Sequence, residues 1–321
     1  MRKRILLIGG SLNQTTMAHR IGVHLESDFD VFYSPLFADG VIGFLADRGF
    51  LDFTTLAGRA RPQAEEYIRS NGLRMDYRGA LQDYDLVVSS TDLVVPRNVR
   101  RTRFVLVQEG MTDPESWRYH LAKRLGLPRI VASTAMNGLS HAYDAFCVAS
   151  DGYRDLFIHK GIEPGRIQVT GVPNFDDAAS WMENDWPHRG HVLVATSCMR
   201  ETLRFENRRA LIRRACRLSE GRELIFKLHP YEDHRRAERE IRAIAPQATV
   251  YMEGVTNHMI ANCSALVTRY SSVVFIAAAL EKEVHSDLDP ETLHRLTPRQ
   301  NGGTSGRRIA EICATLAERR R

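Results

Sequence analysis

Short runs of apolar residues alternate along the chain with longer segments of helical periodicity. In the first half the apolar runs are residues 4–8, 85–89, 104–107, 145–148 and 166–170. They lack polar alternation, as expected for strands of a parallel sheet that is covered on both faces. The segments of helical period are residues 16–26, 61–70, 115–125 and 151–160. This alternation predicts a doubly wound α/β sheet.

The same pattern begins again after a polar stretch at residues 174–189. The second set of strands is predicted at residues 191–195, 223–227, 248–252 and 265–268, and the helices at 205–218, 232–244 and 255–262. We therefore predict two Rossmann-like parallel-sheet domains, 1–178 and 190–304, that face each other across a cleft. A last helix, 305–321, can pack on either domain. Ligands of such sheets bind beyond the carboxyl ends of the strands, so the turns there are the places to look for a site.

The composition is that of a globular protein. The 321 residues include 44 Lys and Arg against 39 Asp and Glu, a net charge of +5, with 43% hydrophobic residues. Disordered and disulfide-stapled classes are therefore excluded. The apolar run near the N-terminus is shorter than a signal peptide needs, and no segment reaches the length of a membrane span, so we expect a cytoplasmic protein. Five scattered cysteines without a C-x-x-C pair indicate reduced thiols rather than a zinc site.

The turn after the first predicted strand is rich in glycine. Gly9-Gly10-Ser11-Leu12-Asn13 precedes a helix that we predict to begin near Thr15. Glycines here allow an anion to approach the backbone N–H groups of a helix start. No third glycine completes a G-x-G-x-x-G motif, so a dinucleotide site is not expected. A ligand role and an ordinary strand-to-helix turn both remain open.

Three turns in the second half carry hydroxyl groups and cations. They are Thr196-Ser197-Cys198-Met199-Arg200-Glu201, Lys227-Leu228-His229-Pro230 and Arg269-Tyr270-Ser271-Ser272. Serine hydroxyls at a helix start, with cationic side chains nearby, suit a diphosphate. Ser271 or Ser272 alone has an ordinary alternative role as a helix cap. Three such turns after strands of one sheet nevertheless predict phosphate binding by the second domain.

These turns, in this order, resemble the GT-B superfamily of two-Rossmann-domain proteins. The similar branch contains the hydrolysing UDP-N-acetylglucosamine 2-epimerases, the CDP-glycerol glycerophosphotransferases and related capsule or wall polymer transferases. The resemblance is carried by the segment 161–176, Arg200-Glu201, Lys227-Leu228-His229-Pro230 and Tyr270-Ser271-Ser272. It extends over roughly residues 104–284, and residues 1–103 share only the general pattern.

The resemblance implies a nucleotide-diphosphate donor, used as a substrate, in the second domain and a hydroxyl acceptor in the first. It places His229, Ser271 and Ser272 near the donor phosphates, with Arg200 beside them. Lys227, at the end of the strand that precedes His229, can contribute a further positive charge to the phosphate oxygens. The loop 252–255, which includes Glu253, is placed near the base and ribose. No cofactor and no metal ion are expected, since helix ends and cations can neutralise the leaving group.

Glu109 is the candidate general base. The resemblance matches Val107-Gln108-Glu109-Gly110, at the end of a first-domain strand, with a glutamate-containing turn of the epimerase active site. The alternative is that Glu109 caps the next helix or pairs with an arginine. Weaker candidates are Asp113, His120 and His141, because an isolated histidine is more often structural than catalytic.

Differences between this sequence and the family motifs restrict the reactions that we expect of the protein. Cys198 stands where the epimerases carry a catalytic histidine, and Ser89-Ser90-Thr91-Asp92 stands where they carry His-Gly-Asp, which argues against epimerisation. Arg269 stands where the glycerophosphotransferases carry an acidic residue, so the donor is open. The sequence favours transfer of a glycosyl or glycerophosphate-type unit to a surface-polymer, glycolipid or small-molecule acceptor. The alternatives are a nucleotide-sugar epimerase or hydrolase, and a non-catalytic nucleotide-sugar-binding protein.

Basic residues are clustered at 97–103, 208–217, 235–242 and 319–321. The helical spacing of Arg208, Arg209, Arg213, Arg214 and Arg217 predicts the solvated face of an amphipathic helix. No nucleic-acid-binding motif accompanies these clusters, so no nucleic acid partner is expected. The basic clusters instead favour attraction to an anionic membrane surface or to a lipid-linked phosphorylated acceptor, and we expect peripheral membrane contact at most. The sequence leaves the oligomeric state open.

Overall fold

The computed structural model describes residues 2–52, 54–201 and 204–319 and divides into two compact units. The first consists of Met1–Asp176 with Asn301–Arg321, and the second of Asp177–Gln300. Each contains one all-parallel sheet with helices in the connections. The predicted α/β fold with two parallel-sheet domains is confirmed.

Six parallel strands form the sheet of the first unit in the order β2-β1-β3-β4-β5-β6. The strands are β1 (Arg4–Gly9), β2 (Asp30–Pro35), β3 (Leu86–Ser89), β4 (Arg103–Val107), β5 (Ala145–Val148) and β6 (Ile167–Val169). The helices are α1 (Leu12–Gly22), α2 (Gly40–Asp47), α3 (Ala60–Ser70), α4 (Arg97–Arg100), α5 (Trp117–Leu125) and α6 (Asp151–His159). The strand order reverses between β1 and β3, and binding crevices of doubly wound sheets lie at such reversals.

The second unit has five parallel strands in the order β11-β10-β7-β8-β9. They are β7 (Val192–Ala195), β8 (Leu224–Lys227), β9 (Thr249–Tyr251), β10 (Ala265–Val267) and β11 (Glu283–His285). The helices are α7 (Arg208–Ser219), α8 (His234–Arg242), α9 (Thr256–Asn262), α10 (Val274–Ala279) and α11 (Pro290–Leu296). Here the order reverses between β7 and β10. Almost every residue of β7, β8 and β10 is buried, which explains their unbroken apolar sequences.

The last helix, α12 (Ser305–Glu318), belongs to the first unit. The backbone N–H of Ser305 donates to Asp176 Oδ2 at 2.7 Å, and the Ser305 hydroxyl donates to the carbonyl of Thr170 at 3.0 Å. α12 packs against α1 so closely that a Cβ on Gly306 would lie 2.6 Å from the Arg20 carbonyl oxygen. Glycine is required by this close approach of two helices.

Two strands and three helices are absent from the sequence-based prediction. β2 and β11 are edge strands, and α2, α4 and α11 are only four to eight residues long. Such short elements contain too few residues to establish a period. The predicted start of α1 near Thr15 is also wrong. The helix begins at Leu12 because Ser11 and Gln14 form a capping box one turn earlier.

Candidate functional site

The glycine turn after β1 is organised by the start of α1. The Ser11 hydroxyl accepts a hydrogen bond from the Gln14 backbone N–H at 3.2 Å, and Gln14 Oε1 accepts from the Gly10 N–H at 2.7 Å. The Gln14 side chain is therefore fixed, with its amide Nε2 directed elsewhere. The turn thus presents one hydroxyl and the amides of Asn13 and Gln14 as hydrogen-bond donors.

Those three donors converge on Glu109, the candidate general base at the end of β4. Glu109 Oε1 accepts from Ser11 Oγ at 3.3 Å and from Asn13 Nδ2 at 3.2 Å, and Oε2 accepts from Gln14 Nε2. Within the described residues of this unit, these hydrogen bonds are to side chains at the start of α1, so Glu109 neither caps the helix that follows it in the chain nor pairs with an arginine. A carboxylate offers about four acceptor positions, so one on Oε2 remains for a substrate hydroxyl.

Gln108 fixes the backbone that carries Glu109. Its side chain is buried, and it donates to the Gly110 carbonyl at 2.7 Å and accepts from the Ala149 N–H at 2.9 Å. The weaker candidates lie outside this cluster. Asp113 accepts from the Thr134 hydroxyl at 2.9 Å, while His120 is exposed beside Tyr119, and His141 occupies a left-handed turn at φ 53°.

Asp92, which the sequence resemblance matches with the Asp of a His-Gly-Asp motif, is a structural residue. It is fully buried, and its two carboxylate oxygens accept from the backbone N–H groups of Gly138 at 2.8 Å and Ser140 at 2.9 Å. Arg129 donates to its carbonyl through Nε and Nη2. Asp92 therefore holds the segment before β5 in place.

In the second unit, the three polar turns follow the adjacent strands β10, β7 and β8. The Thr268 hydroxyl, directly after β10, donates to the Ala195 carbonyl at the end of β7 at 2.8 Å. Neighbouring strands lie about 4.8 Å apart, so the three turns extend over roughly 10 Å of the sheet edge. The strand order reverses here, between β7 and β10. The structure thus brings the predicted phosphate-binding turns to one edge.

Ser271 and Ser272 are half-buried in the turn before α10. α10 begins after Val273 without a side-chain cap, so the alternative role of these serines as helix caps is not realised. Within the described part of this unit, their hydroxyls make no hydrogen bond with the protein. Arg269 of the same turn forms an ion pair with Asp287 at 2.7 Å. The serine hydroxyls therefore remain available to a ligand.

A buried ionic network lies beneath the turns that follow β7 and β8. Arg208 at the start of α7 contacts Glu206 through Nε at 3.0 Å and Glu232 through Nη1 at 3.0 Å. All three side chains are at most 2% exposed. Arg208 also donates to the Ser197 carbonyl at 3.0 Å. The prediction that Arg208 lies on the solvated face of its helix is therefore wrong, whereas its neighbour Arg209 is exposed.

Glu232 connects this network to His229. Glu232 Oε1 accepts from the Thr196 hydroxyl and, at 2.8 Å, from the His229 backbone N–H. Burial lowers the pKa of His229 to about 4, so its ring is neutral near pH 7. Nδ1 accepts from the Tyr231 N–H at 3.2 Å, which places the remaining ring proton on Nε2. His229 therefore offers one N–H donor.

The other predicted donor-site residues already have protein partners or lie further away. Lys227 is buried and donates to the carbonyls of Leu228 and Met252 at 2.9 and 3.0 Å, which fixes the loop after β9. Glu253 is exposed on that loop. Arg200 forms an ion pair with Glu240 of α8 at 2.9 Å. Contact of these three residues with a nucleotide stays a prediction.

Cys198 is the residue that the sequence resemblance matches with a catalytic histidine of the epimerases. It is half-buried, and burial raises the pKa of its thiol. The protonated thiol that results near neutral pH is a poor substitute for a histidine base. The structure thus offers no equivalent base at this position.

The ionic network and the donors to Glu109 are not evident from the sequence. Glu206, Arg208 and Glu232 lie in charged stretches that look like ordinary helical surface, because charged residues are rarely buried. The signal available for Asn13 and Gln14 was the capping-box pattern Ser11-x-x-Gln14. It predicts the orientation of the turn, although it does not predict that Glu109 reaches it.

In the described ranges, no three or more His, Cys, Asp or Glu side chains are grouped as metal ligands would be. The helices of those ranges are all too short or too polar to cross a bilayer.

The stability of the second unit should depend on pH through buried histidines. His191, just before β7, is fully buried, and burial lowers its pKa from 6.5 to about 4. The unfolded chain binds the proton first, so this stability is complete above pH 6.5 and is lost as the pH falls toward 4. We expect the free energy of unfolding to drop by about 1–2 kcal/mol per such histidine between pH 7 and pH 5. Denaturant titrations of the wild type and His191→Leu at both pH values measure this. Equal pH dependence in the two proteins would contradict the assignment to His191.

No known protein-family model and no curated protein sequence matches the chain. Solved structures do resemble it. UDP-GlcNAc 2-epimerase from Neisseria meningitidis, bound to UDP-GlcNAc, aligns with a TM-score of 0.59 and 10% identity over 97% of this chain and 100% of that chain. UDP-N-acetylglucosamine 2-epimerase from Rickettsia bellii gives 0.54 and 9% over 99% and 97%. The wall teichoic acid polymerase TagF, soaked with CDPG, gives 0.53 and 12% over 99% and 89%. At such identities the likeness is one of fold alone, and with the two all-parallel sheets it shows a two-domain α/β fold of the GT-B type.

Proposed function

We propose that this protein is a transferase that uses a nucleotide-diphosphate-activated donor and delivers a glycosyl or glycerophosphate-type unit to a hydroxyl acceptor. The observation that carries the proposal is the arrangement in the second unit. Three turns with hydroxyl and imidazole donors follow adjacent strands at the reversal of strand order, where doubly wound sheets bind nucleotides. Among solved structures of this fold, one is bound to UDP-GlcNAc and another was soaked with CDPG.

The donors at this edge suit a pyrophosphate. Ser271 and Ser272 supply two hydroxyl groups that have no partner in the described protein, and His229 supplies Nε2–H. Because His229 stays neutral, it acts as a hydrogen-bond donor rather than as a cation. Hydrogen bonds to a charged acceptor contribute about 1.5–3 kcal/mol each, so a few such donors can determine nucleotide affinity.

In the first unit, Glu109 is the proposed general base. Its carboxylate is oriented by Ser11, Asn13 and Gln14, and its free acceptor position can take the proton of an acceptor hydroxyl. The hydroxyl oxygen then attacks the activated carbon or phosphorus of the donor, and the bond to the departing nucleotide breaks. Proton removal by a positioned base typically accelerates such a step by about 10²–10⁴.

Nucleotide binding tests the donor site directly. We expect UDP, CDP or GDP to raise the melting temperature of the chain, because a ligand that binds the native state stabilises it. Ser271→Ala with Ser272→Ala should weaken binding about tenfold or more, since each lost hydrogen bond to phosphate costs at least 1.5 kcal/mol. Ser219→Ala is the matched control. The Ser219 hydroxyl donates to the Cys216 carbonyl at the end of α7, away from the carboxyl ends of the strands where the proposed site lies. The proposal fails if none of the three nucleotides binds.

The second candidate is a nucleotide-sugar epimerase or hydrolase, which is favoured by the higher TM-score of the Neisseria meningitidis epimerase. Incubation with UDP-GlcNAc and no acceptor distinguishes the two. An epimerised sugar or released UDP supports the second candidate, whereas product formation that requires an added acceptor supports transfer. Nucleotide binding without turnover under either condition would indicate a non-catalytic nucleotide-sugar-binding protein.

A further inference from the structure

The exposed face of α5 is apolar. Trp117, Leu121 and Leu125 are 69%, 41% and 61% exposed, while Tyr119 and Ala122 on the other side are buried. The spacing of four residues places the three exposed side chains along one stripe. An ordinary surface helix directs its apolar stripe toward the core. In α5, a second apolar stripe faces outward and has no partner in the described chain.

A second exposed apolar group lies on α2 and the turn after it. Val41, Phe44 and Phe50 are 75%, 55% and 67% exposed. The start of α2 and the segment after α5 line the same cleft, of about 410 Å³. Gly40 and Ile42 line it from α2, and Leu127 lines it from the other segment. The cleft therefore lies between the start of α2 and the end of α5, the two helices that carry the exposed apolar residues.

Arginines dominate the charge of this cleft. Arg97, Arg100 and Arg129 line it, with Asp39 as the one carboxylate in the lining. Arg97 is exposed, and Arg129 is half-buried. The guanidinium groups of Arg97 and Arg100 offer planar, multiple N–H donors that match phosphate oxygens, whereas Arg129 already donates to the Asp92 carbonyl. We call this cleft, with its three arginines, the arginine cleft.

Further cations border the apolar stripe of α5. Arg118, Lys123 and Arg124 are exposed on the same helix. Apolar and aromatic side chains bordered by Lys and Arg are typical of helices that lie in the interface of an anionic membrane. A symmetric dimer through this face would bring identical arginine-rich surfaces together, which like-charge repulsion disfavours.

We propose that this face of the first unit docks on an anionic lipid bilayer. Trp117, Leu121 and Leu125, with Phe44 and Phe50 on the other side, enter the boundary between headgroups and acyl chains. The arginine cleft binds lipid phosphate groups between them. The first unit, which carries Glu109, is thereby attached to the membrane surface. This inference is independent of the nucleotide that the second unit binds.

The test is cosedimentation of the full chain with vesicles of phosphatidylcholine alone or with 30% phosphatidylglycerol. We expect binding to the anionic vesicles that falls with added salt, and at least tenfold weaker binding to the neutral ones. The variants Trp117→Ser/Leu121→Ser and Arg97→Glu/Arg100→Glu should each reduce binding at least tenfold. The matched control is Arg209→Glu/Arg213→Glu on α7, which reverses two exposed arginines of the second unit and should leave binding unchanged.

Three outcomes would overturn the proposal. One is the absence of vesicle binding. Another is an equal loss in the α7 control, which would indicate diffuse attraction rather than a docking face. The third is a dimer that Trp117→Ser/Leu121→Ser dissociates while vesicle binding is unaffected, which would make this face a contact between copies. Circular dichroism verifies folding of each variant. Nucleotide affinity of the same variants should be unchanged, so a failure here is distinguishable from a failure of the proposed function.

Discussion

Replacing Arg208 by Met is expected to destabilise the second unit by about 3–5 kcal/mol, because it leaves two buried carboxylates without their counter-charge. Glu206 and Glu232 are each at most 1% exposed, and Arg208 contacts both at 3.0 Å. Removing one member of a buried ion pair lowers the free energy of unfolding by far more than the intact pair contributes to it, since the remaining charge stays desolvated. Methionine fills a similar volume, so the loss of charge dominates over the loss of packing.

Denaturant unfolding of the full chain, followed by hydrogen exchange of the β7 and β8 amides, measures this effect within the second unit. Arg209→Met is the matched control, since the neighbouring residue is exposed, and it should change stability by less than about 0.5 kcal/mol. Adding Glu206→Gln and Glu232→Gln to Arg208→Met should restore part of the loss, because the desolvated charges are then removed. Equal effects of the Arg208 and Arg209 substitutions would show that the network contributes little.

The same network has a consequence for the site. Glu232 accepts hydrogen bonds from the Thr196 hydroxyl and the His229 N–H, and Arg208 donates to the Ser197 carbonyl. The turns after β7 and β8, both part of the proposed donor site, are therefore positioned by the same buried charged residues. Local loss of this network should therefore weaken nucleotide affinity as well as stability. Nucleotide binding by Arg208→Met under native conditions separates the two effects.

The fold was largely predictable because buried parallel strands have a strong sequence signal. β7, β8 and β10 read as unbroken apolar runs, and their bounds agree with the prediction to within a residue at each end. β2 was missed although Val31 and Tyr33 are buried, because Asp30 and Ser34 interrupt the run and Pro35 ends it. The formation of a short edge strand depends on contacts with residues that are distant in sequence, and a local sequence pattern carries no information about those contacts.

The candidate site was predictable in its position and less so in its contacts. Residues that follow strands can be assigned to a sheet edge from topology alone, as with Ser271 and His229. The direction of a side chain depends on its partners. Arg200 pairs with Glu240 and Lys227 with two carbonyls, and these contacts arise from the packing of α8 and the β9 loop. The spacing of residues along the sequence carries little information on which partner a side chain contacts in the folded protein.

Glu109 is the residue on which the proposed chemistry depends most. We expect Glu109→Gln to lower the turnover number by about 10²–10⁴, because the amide retains the shape of the side chain but cannot accept the proton. The Michaelis constant for the donor should change little, since the proposed nucleotide site lies in the second unit. The measurement is the initial rate of nucleotide release with the activated donor whose nucleotide gives the largest thermal shift.

Two variants separate this chemical role from a role in holding the first turn. In Glu109→Gln the new amide faces the Gln14 amide, so some disturbance of the turn is expected along with the chemical loss. Asn13→Ala removes one hydrogen bond to Oε1 while keeping the carboxylate and the Ser11 cap of α1, and should lower turnover by no more than about tenfold, the equivalent of one hydrogen bond. If both variants lose activity equally, Glu109 acts by positioning the turn. If neither loses any, the base lies elsewhere or the protein binds its nucleotide without catalysis.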